Sequence, residues 1–180
     1  MRLDLEDREV IGAELEGPSG PFTVRCGAIV ITTGGFPGNE AWRRRYFAHV
    51  AAAMEHHSLA PATNTGDGIE AALRVGARLD AGVLNAGAWT PVSRVPQRDG
   101  GTVPFPHYVD RAKPGIIAVD SHARVLGADG MPIAGLYAAG NDVASPTGEE
   151  YPAAGVTVGA AMTFGFRAGS HAATRLHDER

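Results

Sequence analysis

Apolar positions along the first third of the chain change period twice. Residues 9–16, EVIGAELE, and 22–32, FTVRCGAIVIT, are β-rich runs separated by GPSG, which predicts a hairpin or small meander. The second run ends in four unbroken apolar residues, Ala28 to Ile31, the pattern of a strand covered on both faces. TTGGFPGNE then breaks the chain, with Asn39 placed as a helix N-cap. Beyond it Trp42, Tyr46, Phe47, Val50 and Met54 recur about every four residues, which predicts an amphipathic helix with Arg43, Arg44 and Arg45 mostly on its wet face.

A second helix opens near Asp67 in TNTGDGIEAALRVGARL, where Ile69, Ala72, Leu73 and Leu79 keep helical spacing and Gly76 or Gly82 ends it. Residues 85–115 carry prolines at 91, 96, 104, 106 and 114 and read as a long loop, functional or at a domain edge. GIIAVD and ARVL follow as short strands, GADGMPIAG as a turn, Leu136 to Ala139 as an apolar strand and residues 157–176 as the last helix. The sum is an α/β fold: a mostly parallel sheet with helices packed on it and a β-meander near the N-terminus.

Composition removes several classes of function. With a formal net charge of -4 and basic residues scattered outside Arg43 to Arg45, no stripe exists to neutralise a phosphate backbone, so nucleic acid is not an expected partner. Cys26 is the single cysteine, which excludes an intrachain disulfide and fits a reducing cytoplasm. No apolar run approaches the roughly 18 residues of a membrane span, and MRLDLEDREV lacks a signal-peptide profile, so a cytoplasmic protein is expected. His56 and His57 are adjacent and have no companion cluster, so no metal site is expected. His107 reads as structural, and Ser145 lacks the strand–turn–helix context of a hydrolase nucleophile.

Three glycine-bearing junctions hold the chemistry. Thr33, Gly34 and Gly35 follow a buried run, either as a plain structural turn or as a place where backbone approaches a cofactor closely. In TNTGDG, Thr65 is placed to cap a helix, and Asp67 either complements the helix dipole or bonds the hydroxyls of a sugar or ribityl chain. In the third, Gly140 allows a sharp turn, Asn141 and Asp142 stand at the carboxyl end of a strand, and Val156 to Gly159 put free amides at a helix start. Such amides favour partial negative charge.

AIVITTGGFPGN, TNTGDGIEAALRVGA, FPHYVDRAKPGIIAV and GLYAAGNDVAS followed by YPAAGVTVGAAMTFGFRAGSHAA together resemble the flavoprotein family of succinate dehydrogenases, fumarate reductases and 3-ketosteroid Δ1-dehydrogenases. The last branch is the most similar, through AGND and the Tyr-Pro-x-x-Gly loop. The resemblance implies FAD as cofactor, with Thr33, Gly34, Gly35, Asp67, Gly140, Asn141, Thr157 and Val158 as its contacts. It implies that the last helix start stabilises negative charge on the flavin pyrimidine. It also implies that Tyr151 and Gly155 bond a substrate ketone, acidifying the adjacent carbon for an α,β-dehydrogenation. Residues 1–37 and 119–180 then correspond to part of an FAD-binding domain, and 38–118 to a reduced substrate, or cap, domain.

Departures from the family pattern accompany the matches. No GxGxxG occurs, so the pyrophosphate-binding segment is missing from these residues. VDSHARVL reads as the front of one family segment joined to the back of a later one, omitting the tyrosine that takes the substrate proton; Tyr108 is the only tyrosine in the adjoining loop. Glu149 and Glu150 stand where the family has smaller residues, either to repel an electron-rich ligand or, the reading preferred, to face water. Two main readings stay open, an FAD-dependent oxidoreductase of steroid-like or other cyclic ketones in incomplete form, and a non-catalytic remnant or subunit whose partner chain supplies the dinucleotide-binding half, with an unrelated small-ligand binder as the remainder. A homo-oligomer is also open.

Overall fold

The computed structural model describes residues 1–54, 56–58, 60–80, 92–106, 116–148 and 155–178. Strands β1 (Arg2–Glu6), β2 (Glu9–Gly17) and β3 (Gly20–Arg25) form an antiparallel meander. The turn between β1 and β2 is two residues long, with Asp7 and Arg8 both left-handed (φ 49° and 66°), the backbone twist that suits a tight hairpin. β1 is an addition to the sequence reading, although Leu3 and Leu5 carry the alternation that marks it, and Leu3 is buried.

The predicted run 22–32 divides at Cys26. Its second part is β4 (Ile29–Ile31), which lies parallel to β8 (Pro132–Ala138), while β7 (Arg124–Leu126) lies antiparallel on the other side of β8. β2 also meets β8 in parallel, through Glu9 and Ala134. The sheet order is therefore β1-β2-β8-β4, with β3 on β2 and β7 on β8. This corrects the expectation of a mostly parallel sheet: hairpin connections dominate, and among the described residues the parallel pairings are β2–β8, β4–β8 and a lone bridge between Ile117 and Val143. Val30 is 39% exposed, so β4 is covered on the Ile31 face alone and not on both faces as its apolar run predicts.

Asn39 caps α1 (Glu40–Tyr46) as predicted, its Oδ1 accepting from the amides of Ala41 and Trp42. The single amphipathic helix expected beyond it is two, because Phe47 is extended (φ −115°, ψ 103°) between α1 and α2 (Ala48–Ala51). That kink drops the Phe47 ring into the core, 5.3 Å from Phe36, and leaves Met54 exposed. α3 (Asp67–Arg74) ends at Gly76, φ +89°, where the Gly76 and Ala77 amides donate back to Leu73 O and Ala72 O. Leu79 therefore lies beyond the helix and bridges to Ile117.

The proline-rich stretch read as a loop contains a hairpin, β5 (Val92–Pro96) and β6 (Thr102–Pro106). A two-stranded ribbon has only edge strands, so its prolines break no central ladder. The strand expected at 115–120 is reduced, over the described residues 116–120, to isolated bridges at Ile117 and Val119. α4 (Val156–Asp178) closes the chain within a residue or two of its predicted bounds.

Alternate β8 residues serve two cores. Leu136 and Ala138 face the main core with Ile31, Phe36, Ile69 and Ile116, each burial stabilising by roughly 1.5–3 kcal/mol for the large side chains. Tyr137 faces the other way and packs with Ala168 and Ala172 of α4. No helix among the described residues is long and apolar enough to cross a membrane.

Candidate functional site

β4 and β8 end side by side, joined by the Ala139 amide donating to Ile31 O at 3.1 Å. Two turns leave from these ends, the arrangement that opens a crevice beyond the carboxyl edge of a sheet. In the first, Gly34 and Gly35 are consecutively left-handed, φ +88° and +82°. In the second, Gly140 (φ +73°) starts a 3₁₀ turn through Asp142.

Asp142 is fully buried and joins the two turns. Its Oδ1 accepts from Thr33 Oγ1 at 2.8 Å and from the Gly35 amide at 3.0 Å, and its Oδ2 accepts from the Gly34 amide at 2.9 Å. These bonds offset the cost of burying a carboxyl group. A third segment joins them: Asn64 Nδ2 donates to Gly34 O at 3.2 Å, and the Gly66 amide to Gly35 O at 3.1 Å. Glycine at 68 lets α3 reach the turn, because a Cβ there would stand 2.5 Å from Thr33 Oγ1.

A cleft of about 250 Å³ opens between the turns and α4. Thr32 and Gly34 form one wall, Ala139, Gly140 and Asn141 a second, and Thr157, Val158 and Ala161 the third. Gly155, φ +88°, precedes the helix, whose first internal bond runs from the Gly159 amide to Gly155 O at 2.7 Å. The amides of Val156, Thr157 and Val158 therefore have no acceptor within α4. Small walls, no carboxylate among the described lining residues and a helix start turned toward the space suit the electron-rich polar edge of a flat ring. Among the described residues a Cβ on Gly140 would meet only Ala161 Cβ, at 4.0 Å, so the glycine leaves room on the lining itself.

The structure brings Gly34, Gly140, Asn141, Thr157 and Val158 together around the cleft. Thr33 and Gly35 stand behind it, turned to Asp142. Asp67 is exposed at the start of α3, outside the lining, and accepts from Thr65 Oγ1 at 2.6 Å. Thr65 is thus not the cap that its hydroxyl suggested; the N-cap is Gly66, whose left-handed backbone (φ 89°) starts the helix without a side-chain bond. Gly155 is exposed beside the helix start, while Tyr151, His107, Tyr108, Glu149 and Glu150 lie outside the described residues. Thr32, Ala139 and Ala161 were not picked out by the sequence, and Asp142, named there only as a polar residue at a strand end, was not read as the link between the two turns. An aspartate inside the small, apolar run AGNDVAS was the available signal for Asp142.

The titratable groups with the largest perturbation lie elsewhere. His49 Nε2 and His56 Nδ1 are 3.0 Å apart, and burial, with Arg43, His49 and His57 nearby, pushes His56 down to about 4. No group of three or more metal-ligating side chains occurs among the described residues.

A protein-family model described as FAD binding domain matches the chain in two pieces, residues 1–121 and 115–158. A 4-oxocyclohex-2-ene-1-carboxylate 5-dehydrogenase of Sinomonas cyclohexanicum is 35% identical over 127 residues, which cover 70% of this chain and 21% of that protein. A 3-oxosteroid 1-dehydrogenase of Mycobacterium tuberculosis is 42% identical over 88 residues, 45% of this chain and 16% of that one. Among solved structures, the 3-ketosteroid Δ1-dehydrogenase of Sterolibacterium denitrificans, in complex with 1,4-androstadiene-3,17-dione, matches the fold with a TM-score of 0.75 at 18% identity. That match covers 97% of this chain and 58% of that one. The chain thus spans about a fifth of the length of the first of these relatives.

Proposed function

The chain belongs to the FAD binding domain family, and from that premise we propose that it forms the flavin-facing portion of an oxidoreductase that dehydrogenates a cyclic ketone. FAD is the cofactor, and when bound it supplies the acceptor for two hydrogens removed from adjacent carbons. The observation that carries the reading is the cleft beyond β4 and β8, faced by the start of α4.

In this reading the Thr157 and Val158 amides stabilise negative charge on the cofactor's polar edge. Gly34 and Gly140 let the ring approach the backbone, with Thr33 and Gly35 completing the first turn, Asn141 hydrogen-bonds the cofactor, and Asp67 bonds its ribityl chain. Tyr151 and Gly155 hold the substrate's ketone oxygen, which makes the neighbouring carbon more acidic. Residues 1–37 and 119–180 serve as the FAD-binding portion and 38–118 as the reduced cap. The 3-oxosteroid and 4-oxocyclohexene relatives support a cyclic ketone as substrate, and the lone Cys26 supports a cytoplasmic location.

A second reading is a subunit that works with a partner chain carrying the dinucleotide-binding half. It is favoured by a family match in two pieces meeting at 115–121, where the sequence pattern puts a junction.

An absorbance spectrum of the purified chain, before and after incubation with excess FAD and gel filtration, tests both. Retained flavin bands, followed by dye reduction with a 3-oxosteroid or 4-oxocyclohex-2-ene-1-carboxylate, is the expected result. A colourless protein overturns the first reading for the chain alone, and bands restored by a co-expressed GxGxxG-bearing chain establish the second.

A further inference from the structure

We propose that Asp142 is a positioning residue, whose buried carboxyl group holds the Thr33-Gly34-Gly35 turn in the shape that presents Gly34 to the cleft before any ligand arrives. The assignment rests on the flavin reading of that cleft. Two adjacent glycines have more backbone freedom than any other pair, so nothing in their own chemistry selects the left-handed conformation seen at both. Asp142 supplies the selection: three donors from three consecutive residues converge on its two oxygens.

The clamp is itself fixed from outside, because Asp142 O accepts from the amides of Ile116 at 3.2 Å and Ile117 at 2.9 Å. Thus a core segment sets the carboxyl group, the carboxyl group sets the turn, and the turn forms one wall of the cleft. Asn141, the neighbour that lines the cleft, presses its carbonyl oxygen against Gly35, where a Cβ would stand at 2.9 Å. Preorganisation of this kind lowers the ordering cost that a ligand otherwise meets on binding.

Asp142→Asn has the same shape but replaces one acceptor by an N–H donor. Either orientation of the amide points donors at Gly34, or at Thr33 and Gly35. Two measurements on the folded variant decide the matter: residue-resolved amide exchange by NMR, and FAD affinity by fluorescence titration. The expected result is about tenfold faster exchange at Gly34 and Gly35, with buried Val10 and Ile69 unchanged, and a Kd for FAD raised about tenfold. Unchanged exchange at the two glycines, or equal acceleration throughout the chain, overturns the proposal. Should Asp142→Asn fail to fold, Thr33→Val removes one donor only; it is expected to speed exchange at Gly34 and Gly35 by about threefold, and wild-type exchange there overturns the proposal. A wild-type chain that takes up no FAD overturns the flavin reading for the chain alone, while the exchange measurement still decides the role of Asp142.

Discussion

The Tyr137 hydroxyl and His171 Nδ1 lie 2.8 Å apart, joining β8 to α4 on the face of the sheet away from the main core. Tyr137 is 1% exposed, so its hydroxyl has exchanged water for protein partners, and burial pushes the phenol up from its ordinary range. Tyr137→Phe keeps the ring packing and deletes the bond. The expected loss is about 1 kcal/mol of unfolding free energy, with flavin uptake unchanged because neither residue lines the cleft. Urea denaturation of the two proteins checks the first expectation, and a loss near zero would show that the hydroxyl bond contributes no net stability.

Acid should loosen the protein through its histidines. His56 lies at about 4, and His49 and His171 are also lowered, in each case with burial as the leading cause. Their folded states therefore bind protons less readily than the unfolded chain, whose histidines titrate near 6.5. The stability they contribute is complete above about pH 6.5 and is lost as pH falls toward 4. A Tm that declines through this window, with a shallower decline in His56→Gln, is the expected outcome. The same slope in both proteins would remove His56 from the acid response.

Which parts of this were readable from the sequence follows from how local each cause is. The Asn39 cap and the stop at Gly76 depend on a few neighbouring residues, and both form as the sequence predicts. The kink at Phe47 was hidden because its ring keeps helical spacing while the gain from packing on Phe36 sets the backbone. The β5–β6 ribbon was masked by prolines that normally oppose strands. At the site, five of the eight positions expected to contact the cofactor line one cleft, positions that the family motifs mark residue by residue. Asp142 was named only as a polar residue at a strand end, and its link to the first turn was not legible, since its partners lie more than 100 residues away and only folding brings them together.

Tyr151 provides a test of substrate handling separate from cofactor binding. In the proposed function its hydroxyl bonds the substrate ketone, so Tyr151→Phe in an active assembly should lower turnover by roughly 10- to 1000-fold, the range for loss of one donor to a developing oxyanion. FAD affinity should stay within a factor of about two, since the ring is retained and no cofactor bond is removed. Steady-state kinetics and a flavin titration on the same preparation separate the effects; equal turnover in the two proteins removes Tyr151 from the mechanism.

Gly35 and Gly140 share a left-handed backbone, φ +82° and +73°, and differ in what surrounds them. Alanine at either position carries the strain of that conformation, about 1–2 kcal/mol. At Gly35 the new Cβ would also stand 2.9 Å from Asn141 O, a backbone atom that cannot move without dragging the second turn. At Gly140 nothing among the described residues lies nearer than Ala161 Cβ at 4.0 Å, and both residues line the cleft. Gly35→Ala is therefore expected to lower Tm more than Gly140→Ala, whereas Gly140→Ala should stay folded and lose about tenfold in FAD affinity as its methyl occupies ligand space. Thermal melts and fluorescence titrations of the pair distinguish the two roles. A Gly140→Ala protein that melts lower than Gly35→Ala yet binds FAD as wild type does would place the ring's approach elsewhere on the cleft wall.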